Sequence, residues 1–224
     1  MSHFPPESLA FLTGIIANNE KAWFEANRSL YEAGYVAAGK AFVEAIGPRL
    51  AAFAPAVHFE PRIGGSMMRI NRDIRFSKDK RPYKTHLDLW FWLGEKRGWD
   101  NAGFWFRLTP EAVHLGAGIF AFGKPELESF RHSIVHPRSG RALLALSRQL
   151  EAAGYEIGEK TRKRPPAGFE TEPDRAHFLL FEGLNAGLRL PPEAALAEGF
   201  DERVLTHFRA VAPLNDWIAT EITG

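Results

Sequence analysis

The sequence predicts an α+β fold, with an antiparallel sheet of four or slightly more strands and N- and C-terminal helices packed on one of its faces. Three observations support this fold. Apolar residues recur at helical spacing in the first third of the chain, alternate with polar residues in the middle third, and return to helical spacing after Pro125. Helices, then strands, then helices are the order typical of α+β folds. Because no stretch has the length or composition of a linker, residues 1–224 are predicted to form a single domain.

Three helices are predicted before residue 54. The first begins at Pro6, because proline suits the first turn of a helix, and it ends at Asn18. The second begins near Glu20, where the preceding asparagine side chains can cap it. The third covers residues 35–53, in which apolar residues recur every three or four positions, and Pro55 ends it.

Four strands are predicted in the middle third, at residues 67–76, 86–93, 104–108 and 112–122. In the first of them, alternation places four apolar side chains on the buried face: Met68, Ile70, Ile74 and Phe76. The turns at 94–103 and 109–111 are short, which favours antiparallel neighbours. After Pro125 the pattern predicts two helices, a basic loop at 160–168, a short helix, a strand at 184–190 and terminal helices.

The composition is that of a folded protein, since 45% of the residues are hydrophobic and 25% are charged. The chain has no cysteine, which excludes disulfides, thiolate metal sites and cysteine nucleophiles. Its first residues lack the basic start and apolar run of a secretory signal, and charged residues interrupt every long apolar stretch. We therefore expect a cytoplasmic protein that makes no contact with a membrane.

Charge is unevenly distributed along the chain. Residues 69–84 contain seven lysines and arginines against Asp73 and Asp79, whereas the net charge of the whole protein is only +1. Residues 160–164 contribute four more basic side chains and no acidic one. Because the rest of the chain is net negative, the pattern indicates a local anion site rather than a generally basic protein.

The basic segment 69–84 is the candidate binding site. On the predicted strand, Arg69 and Arg75 share a face with Asp73 between them, so that Asp73 can hold one guanidinium while the other binds a ligand. Arginine forks and lysine ammonium groups suit phosphate and carboxylate groups. We also expect the 160–169 loop to lie near this segment. The candidate ligand-binding residues are Arg69, Asn71, Asp73, Arg75, Lys78, Lys80, Tyr83, Lys84 and Arg164.

The stretch Arg-Asp-Ile-Arg-Phe-Ser-Lys-Asp-Lys-Arg-Pro-Tyr-Lys, residues 72–84, resembles the signature of an uncharacterised conserved family, domain of unknown function 2461. Three other stretches are similar to motifs of that family: Asn18-Asn19 with Trp23-Phe24, Asn27 and Tyr31; Leu115 to Ile119 with Leu127 and Arg131; and Arg164 to Phe169. The resemblance covers nearly the whole chain. It implies a common domain with a site at residues 72–84, and it implies no activity.

Two other hypotheses remain for the basic segment. The protein can be a structural or partner-binding protein without a ligand site, in which these charges form a lattice of ion pairs that only orders the sheet, since surface charge runs are usually solvated faces. Alternatively, both basic segments can follow a nucleic acid backbone, although few aromatic residues accompany them and the pI of 8.1 is modest. The predicted partners are therefore a small anionic ligand first and a nucleic acid second. Oligomeric state and catalytic residues do not follow from the sequence.

Patterns that would indicate metals or nucleotide cofactors are weak. His86-x-Asp88 together with His114 is too unspecific for a metal site, and a hydrogen-bonded role is the better interpretation. The glycines at 64–65 and at 116 and 118 lack the P-loop and dinucleotide-binding contexts, so they are interpreted as turn or bulge glycines. We therefore predict no metal and no cofactor.

Overall fold

The computed structural model describes residues 2–95, 98 and 101–223. They form two compact units. Unit 1 contains the described residues of Met1–Phe91, Trp105–Leu115 and Arg189–Thr206, and unit 2 those of Trp92–Phe104, Gly116–Leu188 and His207–Gly224. No helix within the described ranges is long and apolar enough to cross a membrane.

The N-terminal helices belong to unit 1. They are α1 (Pro6–Ala17), α2 (Lys21–Ala26), α3 (Arg28–Tyr31) and α4 (Ala38–Ala51), with a π-helical segment, Glu32–Ala37, between the last two. The helices predicted near residues 6–18 and 35–53 are confirmed. The start predicted for the third helix, at residue 35, is wrong, because the chain stays helical from Arg28 to Ala51. The helical run is broken earlier, at Asn27, whose side-chain amide donates to Trp23 O at 2.9 Å.

The helices after the central strands are α5 (Lys124–Val135), α6 (Pro137–Ala152) and α7 (Phe200–Ile218), which continues into a π-helical end at Ala219–Thr223. Two short 3₁₀ helices lie at Ala176–Leu180 and Pro192–Leu196. Helices α5 and α6 both have a proline in their first turn, where the missing N–H of proline costs no hydrogen bond.

The sheet has six strands in the described chain: β1 (Val57–His58), β2 (Leu87–Leu93), β3 (Gly103–Leu108), β4 (Val113–Ile119), β5 (Glu156–Ile157) and β6 (Leu184–Leu190). Their order is β1-β2-β3-β4-β6-β5, and the sheet is antiparallel. The predicted α+β class with a sheet of four or more strands is therefore confirmed. The turn predicted at 94–103 lies partly outside the described residues.

Strand β2 is buried from Leu87 to Trp92, so both of its faces are covered. Aspartate or tryptophan alternates with leucine or phenylalanine along β2, but this alternation does not separate a buried face from a solvent-exposed face. One of its buried residues is charged, Asp88, and the structure supplies this carboxylate with several basic partners.

The strand predicted at 67–76 is wrong. Within this described stretch, Met67 forms β-bridges to Ile63 and Leu89, and Asn71 forms one to Tyr83, but no continuous strand exists. Ile70 is buried as expected, but Phe76 is 94% exposed. The reason is that the chain leaves the extended pairing after Arg72 and turns through residues 73–81, so the alternation beyond Ile70 no longer corresponds to two faces.

Candidate functional site

Residues 66–90 of unit 1 form an irregular hairpin. Four main-chain hydrogen bonds join its arms: Trp90 N to Ser66 O (2.8 Å), Met68 N to Asp88 O (3.0 Å), Lys84 N to Ile70 O (2.7 Å) and Arg72 N to Pro82 O (2.9 Å). Between the second and third bonds, the first arm advances by two residues, from 68 to 70, while the second arm covers four, from 88 to 84. The second arm therefore carries a bulge at residues 85–87, and bulges of this kind redirect side chains.

Four side chains meet beside this bulge, and we call them the Asp88 cluster: Lys84, His86, Asp88 and Arg107. The Asp88 side chain is only 8% exposed. Arg107, from β3, donates Nε to Oδ1 at 2.6 Å and Nη2 to Oδ2 at 3.1 Å. His86 Nε2 and Lys84 Nζ lie 3.1 and 3.8 Å from Oδ2. One buried carboxylate thus orients three basic side chains.

The carboxylate of Asp88 is ionised at neutral pH. Burial would raise the pKa of Asp88, but the hydrogen bonds from His86 and Arg107 outweigh burial and lower the pKa to about 2. A carboxyl group with so low a pKa stays ionised throughout the pH range near 7. Asp88 is therefore suited to holding its basic neighbours in place and unsuited to general acid–base catalysis.

The basic members of the Asp88 cluster stay in contact with solvent. The side chains of Arg107, Lys84 and His86 are 46%, 26% and 23% exposed. These three basic side chains are thus reachable from outside, and their donors can attract and hold an anion.

Two residues far away in sequence fix the hairpin. The Tyr35 hydroxyl, buried in the π-helical segment, donates to Met68 O at 3.0 Å. Asn19, between α1 and α2, bonds reciprocally to the main chain of Tyr83: its amide donates to Tyr83 O and its oxygen accepts from Tyr83 N, both at 3.0 Å. The Tyr83 ring stacks on Phe24 with centroids 4.5 Å apart. The N-terminal helices therefore hold both arms of the hairpin.

The loop at residues 73–81 is braced from within by two Asp-x-Arg triplets. Asp73 accepts from the main-chain N–H of Arg75 at 3.2 Å and from its Nη2 at 2.6 Å. Asp79 accepts in the same way from Arg81, at 3.0 and 2.7 Å. These hydrogen bonds from Arg75 and Arg81 lower the pKa values of the two carboxyl groups.

Further bonds close the loop across its base. Arg72 Nη1 lies 2.9 Å from both Asp79 Oδ2 and Arg81 O. Lys80 Nζ donates to Ile74 O at 2.9 Å. For these residues the structure shows the lattice of internal ion pairs and hydrogen bonds that one of the sequence hypotheses describes.

The predicted site residues are distributed as follows. Exposed positions of the hairpin hold Arg69, Asn71, Asp73, Arg75, Lys78 and Lys80, whereas Tyr83 is buried and Lys84 is half-buried in the Asp88 cluster. Asp73 holds Arg75 directly, and Arg69 acts on Asp73 only through its charge. Arg164 is exposed in unit 2. The approach of the 160–169 loop to the hairpin stays a prediction.

Sequence reasoning missed Arg107, Tyr35 and Asn19 as parts of this site. Arg107 occupies an ordinary polar position in the alternating pattern of β3, so the local sequence does not mark it as a site residue. Its partner Asp88 lies 19 residues away on the neighbouring strand. Asn19 belongs to the Asn-Asn motif on which the family resemblance rests, so that motif did carry a signal. Among the described residues, no group of three or more acidic or histidine side chains is arranged to hold a metal ion.

Comparison with protein families gives one finding. The family model described as "Conserved hypothetical protein (DUF2461)" matches residues 7–217. Comparison with curated proteins gives no match. Since the family model covers nearly the whole chain, including the hairpin and Arg107, the protein belongs to the DUF2461 family.

Proposed function

We propose that this member of the DUF2461 family binds a small phosphate- or carboxylate-bearing ligand at the Asp88 cluster of unit 1. One observation carries the proposal. A nearly buried carboxylate orients an arginine, a histidine and a lysine, and all three remain partly exposed. The buried carboxylate holds these side chains in fixed positions, and their solvent-facing donors are suited to an anion.

The geometry of Arg107 supports an anionic ligand. Its bonds to Asp88 use Nε and Nη2 and thereby fix the plane of the guanidinium. The donors of Nη1 lie outside that pair and point in directions set by the same plane. A pre-oriented arginine loses little side-chain freedom when a ligand binds, which favours affinity. Phosphate and carboxylate oxygens are the acceptors that fit such a donor.

Two predicted site residues can contribute to the same ligand. Lys84 is already a member of the Asp88 cluster. Arg69 lies on the opposite arm between the residues bonded to Asp88 and Lys84, and it is exposed. A flexible arginine side chain at this position is available to a ligand that extends beyond the Asp88 cluster. Arg75 is held by Asp73, so we assign it to the loop and not to the principal ligand contacts.

Isothermal titration calorimetry tests this proposal. Inorganic phosphate, sugar phosphates, nucleoside phosphates and dicarboxylates are titrated into wild type, Arg107→Lys and Lys84→Ala. Arg107→Lys keeps the charge and removes the fork. A charge-assisted hydrogen bond contributes about 1.5–3 kcal/mol, so we expect affinity to fall about 10- to 150-fold in Arg107→Lys.

Arg28→Ala is the matched control, because Arg28 is an exposed arginine of unit 1 that pairs with helix carboxylates and lies outside the Asp88 cluster. Thermal unfolding of each variant shows whether the fold is kept. If no compound binds wild type, or if both cluster variants bind as wild type does, the Asp88 cluster is structural and the proposal fails.

A further inference from the structure

Phe76 lies in the loop that closes the hairpin, and its side chain is 94% exposed. Among the large hydrophobic side chains in the described ranges, the next in exposure is Phe120, at 48%. A phenylalanine brings a large apolar area, and leaving all of it in water forgoes the stabilisation that burial would provide. A ring presented in this way is suited to a partner.

The loop that carries Phe76 is ordered by its own side chains. Arg72 bonds to Arg81 O and pairs with Asp79, and Lys80 reaches back to Ile74 O. Asp73 fixes Arg75, whose guanidinium carbon lies 5.8 Å from the Phe76 ring centroid. These bonds join the two sides of the loop, while the Phe76 ring stays exposed beside Arg75.

The charge of the loop restricts the partner. Residues 72–81 contain five basic and two acidic side chains, a net charge of +3. Both aspartates are already paired with arginines. A partner that fits this loop is negatively charged and offers a flat or apolar group to the ring.

We propose that this loop binds single-stranded nucleic acid by stacking a base on Phe76, while Lys78 and the neighbouring cations face the phosphates. The residues that follow the ring, Ser77 and Lys78, are polar, and Ile74 is half-buried. One isolated ring makes too small an apolar patch for a membrane or a hydrophobic pocket. A single ring is enough to stack one base, and stacking tolerates any sequence. The inference does not depend on the Asp88 cluster.

Fluorescence anisotropy with labelled twelve-nucleotide dT and U oligomers at low salt tests the proposal. Phe76→Ala should weaken binding about 5- to 150-fold, the loss expected for one stacked base. Phe76→Leu should be as weak as Phe76→Ala, because leucine keeps the apolar contact and lacks the ring. Phe76→Trp should bind as well as wild type. Phe120→Ala is the control, since it removes a different exposed phenylalanine, in unit 2.

The salt dependence gives an independent readout. Each phosphate contact on a single strand contributes a slope of about −0.7 in log affinity against log salt, so Lys78→Gln should make the slope shallower by about that amount. Far-UV circular dichroism of each variant confirms that the fold is kept.

Several outcomes would overturn the proposal. If Phe76→Leu binds the oligomers as tightly as wild type does, the ring makes an apolar contact and does not stack on a base. Phe76-dependent binding to phosphatidylserine vesicles or to poly-glutamate, with no binding of the oligomers, would identify a membrane or an acidic protein as the partner. Equal affinity for mononucleotides and oligomers would identify a free nucleotide, and not a nucleic acid chain, as the ligand. Absence of oligomer binding to wild type would also reject the proposal.

Discussion

Replacing Asp88 by asparagine tests the electrostatics of the Asp88 cluster directly. The substitution keeps the shape of the side chain and removes its charge, so Arg107, His86 and Lys84 lose their common carboxylate. The pKa of Asp88 lies at about 2, against an ordinary value of 3.8. At 1.36 kcal/mol per pKa unit, this difference corresponds to roughly 2 kcal/mol of stability at neutral pH. Because the side chain is almost buried, solvent screening reduces this value little.

The sign of the effect fixes its pH dependence. The pKa is lowered in the folded state, so the stabilisation is fully present above pH 4 and is lost as the pH falls toward 2. We therefore expect Asp88→Asn to lower the free energy of unfolding by roughly 2 kcal/mol at pH 7, and the difference from wild type to shrink below pH 4. Taking the difference removes the contributions of the other carboxyl groups.

Urea denaturation followed by far-UV circular dichroism at pH 7, 5, 4 and 3 measures this difference. Asp73→Asn is the matched control, because Asp73 also pairs with an arginine but lies on the surface, where solvent screens the pair. We expect its effect to be much smaller. If Asp88→Asn is as stable as wild type at pH 7, or if its deficit is the same at pH 3 and pH 7, the electrostatic account of the Asp88 cluster is refuted.

Three further predictions concern the supports of the hairpin. Tyr35→Phe removes the buried hydroxyl that donates to Met68 O and should lower the free energy of unfolding by about 1–2 kcal/mol in urea denaturation; an unchanged value would contradict a stabilising bond. Asn19→Ala leaves two main-chain groups of Tyr83 without their partner and should lower the free energy of unfolding by about 2 kcal/mol. Asn18→Ala loses one exposed bond to Gly14 O and should lower it less. Equal losses in the two variants would refute the role of Asn19 as a support of the hairpin. Arg72→Met removes the central brace of the loop and should speed chymotrypsin cleavage after Phe76, while Arg69→Met should not; equal rates would show that the bracing is unimportant.

Regular periodicity explains which parts of the fold could be predicted from the sequence. Helices α1 and α4 show apolar spacing of three and four, and strands β2, β3 and β4 alternate between turns, so their existence and approximate bounds follow from local pattern. The continuity from α3 to α4 could not be read in this way. It passes through a π-helical segment, in which the spacing that marks an α-helix does not hold.

The hairpin could be predicted only in part. The alternation predicts antiparallel neighbours here and a buried Ile70, and the structure has both, although the first arm is not a continuous strand. The bulge at residues 85–87 and the turn after Arg72 leave no mark in the apolar pattern, because both depend on which main-chain groups meet across the arms. Arg107 stayed hidden for the same reason, since its contact with Asp88 depends on the pairing of β2 with β3.

The surplus of positive charge in residues 69–84 has two different physical explanations within one hairpin. In the loop, each aspartate holds the arginine two residues later, and Arg72 joins the turns, so these charges mainly shape the chain. Beside the bulge, one buried carboxylate faces Lys84, His86 and Arg107 together, and all three basic side chains are partly exposed. A charge count along the sequence cannot separate these cases, because pairing is decided by distance in space. The structural lattice thus describes the loop, and the anion site that we propose lies at the Asp88 cluster.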